Sequence, residues 1–123
     1  MILVDTSVWI DHFRTPVAAL ERLIPAEQAI CHPFIRGELA VGHLRNCLEA
    51  IGALQSLPQA KTASEGEFLA LIVNERLAAT GLGFVDVHLL ASCRATPGTK
   101  LWSRDRRLAK YADRLGVGWT DAQ

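Results

Sequence analysis

The chain has 123 residues, half of them hydrophobic and 21% charged. That is enough apolar side chain for one real core without a disulfide or metal, and too apolar a composition for a disordered chain, so residues 1–123 are expected to form a single domain. Thirteen basic residues balance thirteen acidic ones, which excludes a uniformly polycationic nucleic-acid binder but not a locally basic one. Between Arg94 and Arg114, seven basic residues stand against two acidic ones; this stretch reads either as a phosphate-facing strip or as a solvated helix face.

Met1 to Val4 is a short apolar run that stops at Asp5, the pattern of a strand buried on both faces in a parallel sheet. Thr6 and Ser7 can cap a helix starting near Val8, with Trp9, Ile10 and Phe13 inward. Pro16 opens a second helical stretch carrying Val17, Leu20, Leu23 and Ile24 at helical spacing. Gln28 to His32 reads as a second strand, ended by Pro33. Phe34 to Leu44 follows as a helix with Ile35, Leu39 and Leu44 inward, and Asn46 to Leu57 as another, closed by Pro58. Ser64 and Glu67 form an S-x-x-E capping box at the head of a helix that the pattern carries to about Ala79, with Phe68, Leu71, Ile72 and Leu77 on its apolar face. Gly81 and Gly83 end it, and Asp86 heads the next helix, where Leu89, Leu90 and Cys93 face in. After the Thr96-Pro97-Gly98 turn come a third strand over Lys100–Ser103, a basic amphipathic helix over Arg106–Leu115 and a last short strand over Val117–Thr120. Strands alternating with helices define an α/β sandwich around a parallel sheet.

Cys31, Cys47 and Cys93 share no ligand spacing and lie among apolar residues, so they are expected as buried free thiols of a reducing cytosol. No secretory leader is expected at the N-terminus, because Asp5 interrupts the apolar run, and no run approaches the about 18 apolar residues of a membrane span. His12, His32, His43 and His88 form no ligand pair and are expected to be structural or exposed. Trp9 and Trp102 read as core.

In a parallel sheet the ligand site lies beyond the carboxyl ends of the strands. Asp5 ends the first strand and Asp105 follows the third, so both fall on that edge. Asp86 follows a Gly-rich turn from which it can point there, and Glu38 lies one turn into the Phe34 helix. Each acid also has a plainer role open to it: helix capping for Asp5, Asp86 and Asp105, and solvation for Glu38. Gathered together, four carboxylates repel and call for a compensating cation. An all-oxygen donor set suits Mg²⁺ or Mn²⁺ rather than zinc, and such ions serve phosphodiester chemistry.

The segments MILVDTSVWID, FIRGEL, GFVDVHLLAS and LWSRDRRL together resemble the PIN-domain ribonucleases of the VapC toxin type, along nearly the whole chain. The resemblance implies a PIN-like three-layer sandwich with a central, mainly parallel sheet flanked by helices. It also implies an Mg²⁺- or Mn²⁺-dependent endoribonuclease toxin that cuts structured RNA, transfer or ribosomal, and so inhibits translation in the cytoplasm. Its catalytic acids would be Asp5, Glu38, Asp86 and Asp105, with Asp5 and Asp86 the principal metal ligands and Ser7 and Ser103 orienting carboxylates or waters. The resemblance further implies a homodimer and a cognate VapB-like antitoxin whose C-terminal tail enters the acidic groove. Arg14, Arg36 and Arg104 flank these motifs and are candidate phosphate contacts.

Three other functions are testable against the same residues. A phosphoacceptor receiver domain would use Lys100, but lacks the acid pair and the central strand-end Asp it requires. A dehalogenase-type phosphatase needs an Asp two residues after Asp5, where Ser7 stands. A module that only binds RNA or a partner would have no use for four intact acids.

Overall fold

The structure, a computed structural model, describes residues 1–42 and 47–121. Its centre is a three-stranded parallel sheet in the order β2-β1-β3. β1 (Ile2–Val4) is buried throughout, as its unbroken apolar run requires of a strand covered on both faces. It pairs with β2 (Ala29–Ile30) through Leu3 opposite Ile30, and with β3 (Lys100–Trp102) through Val4 opposite Trp102. Because all three strands run the same way, Asp5 and Ser103, each one residue past its strand, emerge side by side.

The helices are α1 (Thr6–Arg14), α2 (Ala18–Leu23), α3 (Pro33–Gly42), α4 (Cys47–Gln55), α5 (Glu65–Asn74), α6 (Phe84–Ala95) and α7 (Arg106–Arg114). The expected Leu44, Asn46 and His43 positions lie outside the described residues, as does the side chain of Cys47. Cys31 and Cys93 are buried free thiols. Trp9 and Trp102 are core residues, the former donating its indole N–H to the Val4 carbonyl at 3.1 Å. Among the described residues no helix is long and apolar enough to cross a membrane.

Two elements and one side chain depart from the sequence pattern. α5 stops at Asn74 rather than near Ala79: Arg76 takes a left-handed backbone (φ 55°), and the Leu77 N–H bonds the Ile72 carbonyl at 3.0 Å. This is the closing bond of a Schellman motif, with arginine where glycine is usual, so no glycine marks the end in the sequence. Leu77 is nevertheless buried. The last strand contracts to a parallel bridge between Gly118 and Leu101, because the chain leaves α7 through Gly116 (φ 75°) and Asp113 is packed against Gly118 too closely for any side chain there. Phe13 is 40% exposed rather than inward, stacked on the outer side of Trp9.

His32, expected to be structural or exposed, is fully buried. Its Nδ1 accepts the Phe34 N–H at 3.0 Å, so the neutral ring carries its proton on Nε2, which has no partner among the described residues. Burial, with His88 and Arg36 nearby, pushes its pKa down to about 4, and burial lowers His88 in the same direction. The unfolded chain then takes up a proton near pH 6.5 that the folded chain resists until about pH 4. Stability is therefore full above the unfolded value and is lost as pH falls through this window. Urea unfolding at pH 7 and pH 5 is expected to show His32 costing the wild type about 2 kcal/mol between them. His32→Asn keeps an acceptor for Phe34 and is expected to flatten that dependence; an unchanged slope would refute the assignment.

Candidate active site

Asp5 occupies the N-cap position of α1, yet its side chain makes no capping bond. Its Oδ2 instead accepts the hydroxyls of Ser103 at 2.7 Å and Ser7 at 2.9 Å. Both hydroxyls are fixed from behind: Ser7 Oγ accepts the Arg104 N–H and Ser103 Oγ the Asp105 N–H, each at 3.0 Å. A hydroxyl has one proton to give, and here each gives it to the same carboxylate oxygen. Oδ1 accepts no hydrogen bond among the described residues. Asp5 is only 6% exposed, so its carboxylate is held at the sheet edge rather than solvated beside it.

Asp105 is a true N-cap, its Oδ1 accepting the N–H groups of Arg107 at 2.9 Å and Leu108 at 3.1 Å. Asp86 is the third residue of α6, and its Oδ2 reaches back to the Gly83 N–H at 2.9 Å. For these two acids capping and site membership are thus compatible, since a capping carboxylate keeps a second oxygen. Asp86 is half-buried, and burial raises its pKa above the ordinary aspartate value. The Gly83 N–H works against that rise, while the charges of Asp5 and Asp105 add to it. Three carboxylates from separated parts of the chain therefore lie within electrostatic reach of one another. Asp86 and Asp105 open onto a cleft of about 700 Å³ whose other wall is Arg106, Arg107, Lys110 and Tyr111.

Glu38 joins the group less directly. Its Oε1 accepts the Thr6 hydroxyl at 2.7 Å, which ties α3 to the residue beside Asp5. Thr6 is the positioning residue that the sequence did not reveal, because this contact spans 32 positions and exists only once α1 packs on α3. Arg104 bonds Asp11 at 2.7 Å and, with Arg14, lines a separate cleft of about 450 Å³. Arg36 donates to the Gln59 side chain. Lys100 stands at the start of β3, away from the acids, and donates to the Gly116 carbonyl at 2.9 Å, which leaves a receiver-type reading without its lysine.

The donor set is carboxylate and hydroxyl oxygen only, and burial, with the Asp5 and Asp105 charges adding to it, disfavours an ionised Asp86. That is the chemistry of a hard divalent cation site. Among the described residues, no three potential ligands already converge tightly enough to form a ready-made chelate.

Residues 2–114 match the PIN domain family, and the chain belongs to that family. Within it the chain is of the VapC type: it is 41% identical to "Ribonuclease VapC32" of Mycobacterium tuberculosis, from strain CDC 1551 / Oshkosh and from strain ATCC 25618 / H37Rv. Each comparison spans 117 residues, 95% of this chain and 94% of the relative.

Removing the Asp86 charge is expected to stabilise the metal-free protein. With a raised folded-state pKa, the ionised acid costs stability above the carboxylate range, and that cost disappears as pH falls through it. Asp86→Asn keeps an oxygen for Gly83, so calorimetry without metal should give a higher Tm at pH 7 and a gain that shrinks towards pH 3. A lower Tm at pH 7 would show that its surroundings hold the charge favourably.

Proposed function

We propose that this chain is a divalent-metal-dependent endoribonuclease, the toxin of a toxin–antitoxin pair. The observation that carries the reading is the Asp5 carboxylate, clamped by Ser7 and Ser103, with Asp86 close enough to Asp5 and Asp105 for their charges to add to its cost of ionisation. The similarity to "Ribonuclease VapC32" supports RNA as the substrate.

Asp5 and Asp86 would hold Mg²⁺ or Mn²⁺, with Asp105 and Glu38 completing the site directly or through water. A bound ion supplies a Lewis acid for the phosphodiester and lowers the pKa of water. Ser7 and Ser103 fix the Asp5 carboxylate through Oδ2 and leave Oδ1 available to a ligand. Thr6 holds Glu38 towards the same edge, and the capping bonds of Asp86 and Asp105 set their carboxylates without consuming both oxygens. The reaction is hydrolysis of an internal phosphodiester of structured RNA, transfer or ribosomal, with loss of translation in the cytoplasm.

Arg14, Arg36 and Arg104 are proposed phosphate contacts. At Arg36 a phosphate would replace the neutral Gln59 amide by a charged acceptor, and at Arg104 it would exchange for the equally charged Asp11 carboxylate. The 123 residues act as a single domain, as a homodimer, restrained by a VapB-like antitoxin.

Asp5→Asn is expected to abolish RNA cleavage in Mg²⁺ or Mn²⁺, a loss of at least about 100-fold, while circular dichroism and Tm remain those of a folded protein. The same substitution should relieve growth arrest on expression. Full activity of the folded variant would sink the mechanism.

A further inference from the structure

From Arg94 to Arg114 the chain carries seven cations, and the fold divides them sharply. Arg94 pairs with Glu75 and Arg104 with Asp11. Lys100 donates to the Gly116 carbonyl, Arg107 to that of Gly81 and Arg114 to that of Glu75. Arg106 and Lys110 remain. Both are exposed, and neither makes a hydrogen bond or ion pair among the described residues. Both line the cleft that Asp86 and Asp105 open onto.

Their spacing has a consequence. Residues 106 and 110 are one turn apart on the same face of α7, about 6 Å along its axis. Lys110 is also held over the Tyr111 ring, its Nζ 5.8 Å from the centroid, with Arg114 on the same ring at 5.5 Å. Such a contact orders a flexible lysine without consuming its hydrogen-bonding capacity on a protein acceptor. An acidic wall faces a basic one across a single open cleft, and two of the three cations in the basic wall, Arg106 and Lys110, have no protein acceptor among the described residues.

We infer that α7 is the track for the RNA strand beside the scissile phosphate, with neighbouring backbone phosphates on Arg106 and Lys110. These are contacts that position the strand and carry no sequence information. This inference rests on the ribonuclease reading above. A strand fits better than an acidic peptide because the acids of the cleft need a phosphodiester, not a carboxylate, to be brought to them.

The test is the double variant Arg106→Gln/Lys110→Gln. Both positions are exposed, so the fold should tolerate it. Steady-state cleavage of RNA with Mn²⁺ is expected to show KM raised at least about ten-fold with kcat nearly unchanged, the mark of lost uniform binding. In an Asp5→Asn background, the affinity for a short fluorescein-labelled single-stranded RNA should lose about 1.4 from its log–log salt slope, two contacts at about 0.7 each. Hydrolysis of bis(p-nitrophenyl) phosphate, which has no flanking phosphates, should continue at the wild-type rate.

Unchanged KM and salt slope would overturn the inference. So would equal losses on RNA and on the small diester, which would make these residues supports of the acids. So too would retained RNA affinity with loss of binding to a polyglutamate peptide, which would make α7 a protein-docking face. A wild type that cleaves no RNA would instead remove the ribonuclease reading itself.

Discussion

The site depends on the pairing of β1 with β3. Val4 lies opposite Trp102, and the pairing continues one step further, where the Asp5 N–H donates to the Trp102 carbonyl at 2.9 Å. That bond fixes where the chain stops being strand on one side and leaves Ser103 beside Asp5 on the other. The two hydroxyls that grip Asp5 Oδ2 come from residues 96 positions apart, and only a parallel neighbour brings them together. Thr6, the first residue of α1, then carries the same anchor outward to Glu38 on α3. A change in register between these two strands would dismantle the whole arrangement at once.

Fold and chemistry pull in opposite directions around this anchor. A buried carboxylate with two acidic neighbours is a poor choice for stability, and Asp86 shows it in its raised pKa. The surrounding hydrogen bonds limit that cost: Gly83 for Asp86, the first turn of α7 for Asp105, the two serines for Asp5. Strain concentrated at a site and offset elsewhere is the expected signature of function rather than of packing. The offset comes from a core centred on β1 and α6, where Leu3, Val4, Leu89 and Leu90 are fully buried. The interlocked turn between α5 and α6 contributes as well. There Gly81, in a left-handed backbone (φ 88°) that favours glycine, lies under the Arg107 guanidinium, which donates to its carbonyl, so the loop leading to Asp86 and the helix capped by Asp105 are in contact.

The parts of this account legible in the sequence were those written in local chemistry. An apolar run ending abruptly in Asp5, a capping box at Ser64, and acids at helix heads each follow from a few adjacent residues, and together they located three of the four acids on one edge. The parts that were not legible depend on packing between distant segments. Thr6 reads as a cap until α3 lies against α1. Arg104 reads as a free cation until Asp11 is beside it, and Arg76 gives no sign that it closes α5 in a conformation usually left to glycine. Local pattern also misjudged Phe13, whose helical spacing points inward but whose ring lies outside Trp9. Glu38 stands between these cases: its position was legible, its partner was not.

The claim on which everything functional rests is that the edge carrying Asp5, Asp86 and Asp105 takes up a divalent cation. Titration of Mn²⁺ into the purified protein, followed by the loss of its free-ion electron paramagnetic resonance signal, tests that claim without any substrate. The expected result is saturable uptake by the wild-type chain and strongly weakened uptake when Asp5 and Asp86 are both replaced by asparagine. Wild-type protein that cleaves RNA yet takes up no Mn²⁺, or a double variant that binds as the wild type does, would contradict it.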